Sequence, residues 1–153
     1  MRRAAILLAL IATLAAPARA QVATDAQAGA LADAATTVAA LAAGAVEANP
    51  LGLFTLPVKL LALHHAHTLP EGARQHQLAT LGALWAGAAV NNACVLAAIL
   101  TGGAFAPACL VAGIAAGAQR WQASSDERAF WAICADERAR RPDLRCTWNT
   151  TPA

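Results

Sequence analysis

From Gln75 to Gln119 the chain has no Asp, Glu, Lys or Arg. A soluble domain of 153 residues has too much surface to leave a run of 45 residues uncharged. Charged residues are 13% of the whole, about half the usual share of roughly 25%. The P-loop, the G-x-S-x-G elbow, the H-E-x-x-H helix and the dinucleotide fingerprint are also missing. Their absence points away from the common enzyme classes without excluding an enzyme, and no cofactor is expected. A net charge of +2, with no Lys/Arg stripe interleaved with aromatics, points away from nucleic acid.

What is present is apolar and organised. Residues of the AVILMFWYC set make up 58%. The N-terminus has the layout of a secretory signal: basic Arg2 and Arg3, an apolar stretch Ala4–Ala16, Pro17, and a small-x-small site at Ala18-Arg19-Ala20. The mature chain is then expected to begin at Gln21. No lipobox cysteine follows, so no lipid anchor is expected by this route.

Five helices follow in the pattern. Val22–Glu47 reads as the first, stopped by Asn49-Pro50. Leu51–Leu69 is the second, with Pro57 expected to kink it. Thr68–Gln77 reads as a polar loop. Leu78–Leu100 is the third helix, uncharged and long enough to cross about 30 Å of hydrocarbon. A turn at Thr101-Gly102-Gly103 leads to a short fourth helix, Ala104–Ala118. The polar tail from Arg120 holds an amphipathic helix over Ser124–Arg140, with Phe130, Trp131 and Cys134 as its apolar stripe and Trp121 and Trp131 suited to a membrane interface. The expected fold is therefore all-α: a transmembrane bundle of about four spans (21–119) behind a signal peptide (1–20), with a Cys-containing tail (120–153). Export places Gln21 outside, and four spans return the tail to the outer, periplasmic side of the inner membrane. The Lys/Arg content of that tail runs against the positive-inside tendency; three spans would put it inside.

Few residues resist a packing explanation. On the first helix Asp33, Thr37, Gly44 and Glu47 fall near one face, with Leu31, Val38 and Val46 opposite. Thr side chains are cheap in lipid because they bond back to the helix. An ionised Asp33 is not, and must face protein, water or a counter-charge. Lys59 on the second helix is its natural partner, with Glu47 nearer the turn. Asn91 and Asn92 lie mid-way along the third helix about 100° apart, so one is expected to reach Asp33 or Lys59 and the other the fourth helix. Such amides act as glue between spans. The pattern D-x-x-T-T, then L-x-x-G-x-x-E-x-N-P, then a Lys in the next helix resembles a family of small prokaryotic multi-span membrane proteins catalogued only as a domain of unknown function. The matching positions are Asp33, Thr36, Thr37, Leu41, Gly44, Glu47, Asn49, Pro50 and, more loosely, Lys59. The resemblance implies a polytopic helical fold and no particular activity.

All four histidines lie between His64 and His76. His64 and His67 share a face, with His76 as a conceivable third metal ligand. The plainer reading, a polar interfacial end to the second helix, is preferred, and no metal is expected. Cys94 and Cys109 flank the Thr101–Gly103 turn at similar depth and are expected to be free apolar core residues. Cys134 and Cys146 are expected to be bonded in an oxidising compartment, closing the tail. Three functional readings stay open. The first is a scaffolding, accessory or partner-binding membrane protein, with lipid around it and a protein partner on the tail. The second is an ion- or proton-coupled transport module using Asp33, Glu47, Lys59 and the Asn pair, which would need homo-oligomers. The third is a membrane-embedded enzyme using the same carboxylates.

Overall fold

The structure is a computed structural model, and it describes residues 22–45, 55–102 and 106–148. Five α-helices and no strand occur among the described residues: α1 Val22–Ala42, α2 Thr55–Thr68, α3 Glu71–Thr101, α4 Ala106–Ala123 and α5 Ser125–Arg140. The all-α expectation holds. The signal segment, together with Glu47, Asn49 and Pro50, lies outside the described residues.

Several boundaries differ from the sequence expectation, each for a local reason. The first helix ends at Ala42 and not at Glu47, because Gly44 takes a left-handed conformation (φ 93°). The Ala45 N–H then reaches the Ala40 carbonyl and the Gly44 N–H the Leu41 carbonyl, both at 3.0 Å. This is the Schellman closure that glycine permits. Pro57 sits in the first turn of α2, where its missing N–H has no intrahelical acceptor in any case, so it need not kink the helix. The expected loop Thr68–Gln77 is mostly helix. Only Leu69 and Pro70 separate α2 from α3, and Glu71 opens α3 as a first-turn acid that also pairs with Arg74 and Arg138. The 31 residues of α3 extend about 46 Å. Gly102, left-handed at φ 69°, closes it.

Helix α3 is the centre of the molecule. Residues near Asp25 and Ala26 meet Gly82, and Asp33 meets Asn92, so α1 runs parallel to α3. Helix α2 returns antiparallel, bringing Ala66 against Val22 and Leu78. Helix α4 is antiparallel on another side of α3, with Gly113 against Gly87 and Gly117 against Ala83. A Cβ placed on Gly87 would lie 2.7 Å from the Gly113 carbonyl oxygen, so only glycine allows this approach. Helix α5 folds back over the start of α3, where Gly72 faces Ala135 and Trp131. The tail is thus docked on the bundle. The Cys134–Cys146 disulfide turns the chain after α5 back so that Trp148 meets Phe130 at 5.2 Å.

The interior is made of small residues. Leu78, Val22 and Cys109 are the largest fully buried side chains, amid Ala26, Ala30, Ala66, Ala89 and Ala93. The bulky aliphatics point outward on all four bundle helices, for example Leu31 at 66% exposed, Leu61 at 67%, Leu84 at 63% and Val111 at 66%. This inverts the usual preference for large apolar residues inside. Helix α3 is the one described helix long and apolar enough to cross a membrane, and 28% of its apolar stretch is buried inside the protein.

Cys94 and Cys109 are bonded, not free, with Cα atoms 5.3 Å apart. The sequence expectation placed them correctly at one depth. It missed that the glycine-lined α3–α4 crossing draws the helices into the Cα range a disulfide spans.

Candidate functional site

The buried face of α1 runs Val22, Ala26, Gly29, Ala30, Asp33, Thr36 and Ala40, in steps of three and four. Asp33 therefore points into the bundle although it is charged. Its residue exposure is 7%, and that of Lys59, opposite on α2, is 4%. The Lys59 Nζ lies 2.6 Å from Asp33 Oδ2. The second carboxylate oxygen accepts from the Asn92 amide at 2.8 Å, and the same amide nitrogen donates to Thr37 Oγ1 at 2.9 Å. Asp33 and Thr37 stand one turn apart on α1, which is why one amide can serve both. The Thr36 hydroxyl is spent on its own helix, donating to the Ala32 and Asp33 carbonyls at 2.8 and 3.1 Å.

Beyond the charges at the α5 end of the bundle (Asp25 with Arg120, and Glu71 with Arg74 and Arg138), Asp33 and Lys59 are the sole Asp, Glu, Lys or Arg of α1–α4 among the described residues. Their charges cancel. The Nζ contact is close but off the hydrogen-bonding direction, and among the described residues Nζ has no acceptor in bonding geometry. Buried charges are tolerated when paired and satisfied; here the carboxylate side is satisfied and the ammonium side is not.

The structure thus joins Asp33, Thr37, Lys59 and Asn92, four of the residues singled out in the sequence. Asn91 is not with them. It lines an apolar groove of about 610 Å³ between α3 and α4, beside Leu84, Gly87, Leu110, Gly113 and Ile114. The histidines do not converge either. His76 packs edge-on against Trp121 at 5.2 Å, which turns it toward α4, and no cluster of three His, Cys, Asp or Glu suited to a metal occurs among the described residues.

Two polar contacts at the α5 end were not foreseen. Arg120 on α4 pairs with Asp25 on α1 at 3.5 Å, and the Glu127 carboxylate on α5 accepts the Val22 N–H at 3.0 Å. Asp25 reads in sequence as an ordinary first-turn acid, and nothing in a tail with alternating charges marks Glu127 as buried. Among the described residues, the fold and this site define an all-α bundle with an apolar exterior, a small-residue interior and one buried ion pair. Comparison with protein-family models, curated proteins and solved structures finds no match to this chain. The family resemblance therefore rests on the quoted residues alone.

Proposed function

We propose that this chain is an exported integral membrane protein of four spans whose role is to scaffold or bind a partner, with α5 and its disulfide loop presented on the outer face. The observation that carries this reading is the inverted packing. Bulky aliphatics cover the outside of α1–α4, while Ala, Gly and Thr fill the inside and the one charged pair along the apolar section is buried. Lipid, not water, is the solvent such an exterior fits. At 1.5 Å per residue α1 and α3 exceed or match about 30 Å of hydrocarbon, α4 extends about 27 Å and α2 about 21 Å. Mismatch of this size is absorbed by tilt or local thinning of the bilayer. Close packing of small faces, as between α3 and α4, is how helices associate in lipid. On α5 the exposed Ile133, with Asp136 and Arg140 on the same helix, supplies a surface for a protein partner.

Two measurements on intact cells test this. Alkaline carbonate should leave the protein in the membrane. A membrane-impermeant maleimide should label Cys134 and Cys146 only after reduction. Release by carbonate would remove the membrane from the reading, and labelling only after permeabilisation, without reductant, would move α5 to the cytoplasm.

A second reading draws on the Lys59 ammonium, which is buried and, among the described residues, has no acceptor in bonding geometry. An ionisable residue so placed suits a proton or ion relay, with Asp33 and Asn92 as its neighbours. Proton flux into liposomes holding the protein, lost in Lys59→Met, would favour this over the scaffold.

A further inference from the structure

Helix α3 carries two adjacent amides near mid-length, and only one of them is engaged inside the protein. Asn92 is taken up by Asp33 and Thr37. Asn91, turned about 100° away, sits on the α3–α4 seam, where its Cβ lies 3.0 Å from the place a Cβ on Gly113 would take. Glycine has no side chain, so α4 offers the amide nothing to bond at that level. Among the described residues the half-buried Asn91 side chain makes no hydrogen bond. The groove it lines, about 610 Å³, is rimmed by Leu84, Leu110 and Ile114, which are 63%, 58% and 64% exposed. Asn91 stands eleven residues along α3 from Thr80, at the Trp121 end of the groove, and ten from the helix end at Thr101. Either distance is about 15 Å, half of a hydrocarbon layer of about 30 Å.

We propose that this groove is the contact between two copies of the chain, with Asn91 of one bonded to Asn91 of the other. The inference rests on the membrane reading given above. At the depth of Asn91 a lipid has only methylenes, which can fill the groove but cannot bond an amide. The occupant is therefore another span that brings a polar group to the same level. A second copy does this by symmetry. All copies insert in one orientation, so a two-fold axis relating two of them runs along the membrane normal and keeps each residue at one depth in both. An amide carries an NH2 donor and a carbonyl acceptor. Two amides facing across the axis satisfy each other with a pair of N–H···O bonds. The same patch comes from each side, so the exposed aliphatic rims meet a floor of Gly87 and Gly113.

The test uses the protein purified from membranes and returned to lipid vesicles. The four native cysteines are bonded to one another, so Leu84→Cys adds the single free thiol. With a mild oxidant it should cross-link to a product of twice the chain mass. Leu61→Cys, on α2 away from the groove and equally exposed at 67%, should not. Cross-linking followed over a series of lipid dilutions gives the midpoint of association. Adding Asn91→Leu should move that midpoint to about tenfold higher protein density, the scale of one interhelical amide bond in lipid. Adding Asn91→Gln, which keeps the amide, should leave it near the starting value. Equal cross-linking at both cysteine positions would mean random collision, and a midpoint indifferent to Asn91→Leu would mean that lipid covers the groove; either result overturns the proposal. Should Asn91→Leu not fold, the contrast between Leu84→Cys and Leu61→Cys in the otherwise unaltered protein still decides. A Leu84→Cys product in native membranes of any mass other than twice the chain would reveal a different partner and sink the idea. Release of the protein by alkaline carbonate overturns the membrane reading and this proposal with it, while a retained but monomeric protein overturns the proposal alone.

Discussion

On one side of α3 the chain meets α4 backbone to backbone; on another it meets α1 and α2 through a charged cluster. The α4 side has no ionic contact at the crossing. Gly87, Gly113 and Gly117 remove the side chains, and Cys94–Cys109 bonds the helices covalently. The α1–α2 side is held by Asp33, Lys59, Thr37 and Asn92, where the charge pair is buried and therefore weakly screened. The glycine crossing is non-specific in chemistry and strict in shape. The polar cluster tolerates small changes of shape and is strict in chemistry, since Asp33 takes the charge of Lys59 and the amide of Asn92 together.

Breaking the polar side should produce the largest effect. Lys59→Met leaves an unpaired carboxylate among apolar residues and should destabilise by about 3–5 kcal/mol, read as loss of the folded fraction in graded denaturing detergent. The double change Asp33→Asn with Lys59→Met should recover most of that loss; a double variant no better than the single would show that the pair is not the source. If the double variant folds yet fails to complement a deletion in cells, the cluster has a role beyond structure.

The covalent side comes next. Cys94→Ser with Cys109→Ser opens a loop of 15 residues, worth about 3 kcal/mol by the chain-entropy argument. Helix α4 should detach from α3 first, seen as protease cleavage within Ala106–Ala123 while α1–α3 stay protected. Simultaneous loss of both halves would mean the crossing does not act separately from the cluster.

The smallest of the three effects belongs to the glycines. Gly87→Ala places a methyl within 2.7 Å of the Gly113 carbonyl oxygen, and overpacking of this kind costs about 1–3 kcal/mol. Its effect should grow when Cys94–Cys109 is reduced, because the disulfide otherwise holds the helices together. Independence of the redox state, measured by thermal unfolding with and without reductant, would sever the link between the glycine crossing and the bond.

The pairing of Asp33 with Lys59 could be read in advance because both are solitary charges in apolar runs, and a charge buried among apolar residues needs a partner. The choice of Asn92 over Asn91 could not. Adjacent residues on a helix diverge by about 100°, and which one faces α1 depends on how α3 is rotated. Gly44 was legible as a residue of the patterned segment but not as the end of α1, since a glycine in a helical run serves equally as a packing face or a left-handed cap. The bond between Cys94 and Cys109 needed a helix separation, and the burial of Glu127 needed α5 to be seen docked on the start of α1.

Composition and periodicity by themselves determined that this chain is helical, that its exterior would be apolar, and that Asp33 needed a cation. Those are consequences of local propensity and of transfer free energies, which each residue carries with it. Tertiary structure alone decided that Asn92 and not Asn91 faces α1, that α3 and α4 touch at their backbones, and that a tail carboxylate sits at the start of α1. These depend on rotations and distances between helices, set by the packing of many small side chains at once, and no single position in the sequence encodes them.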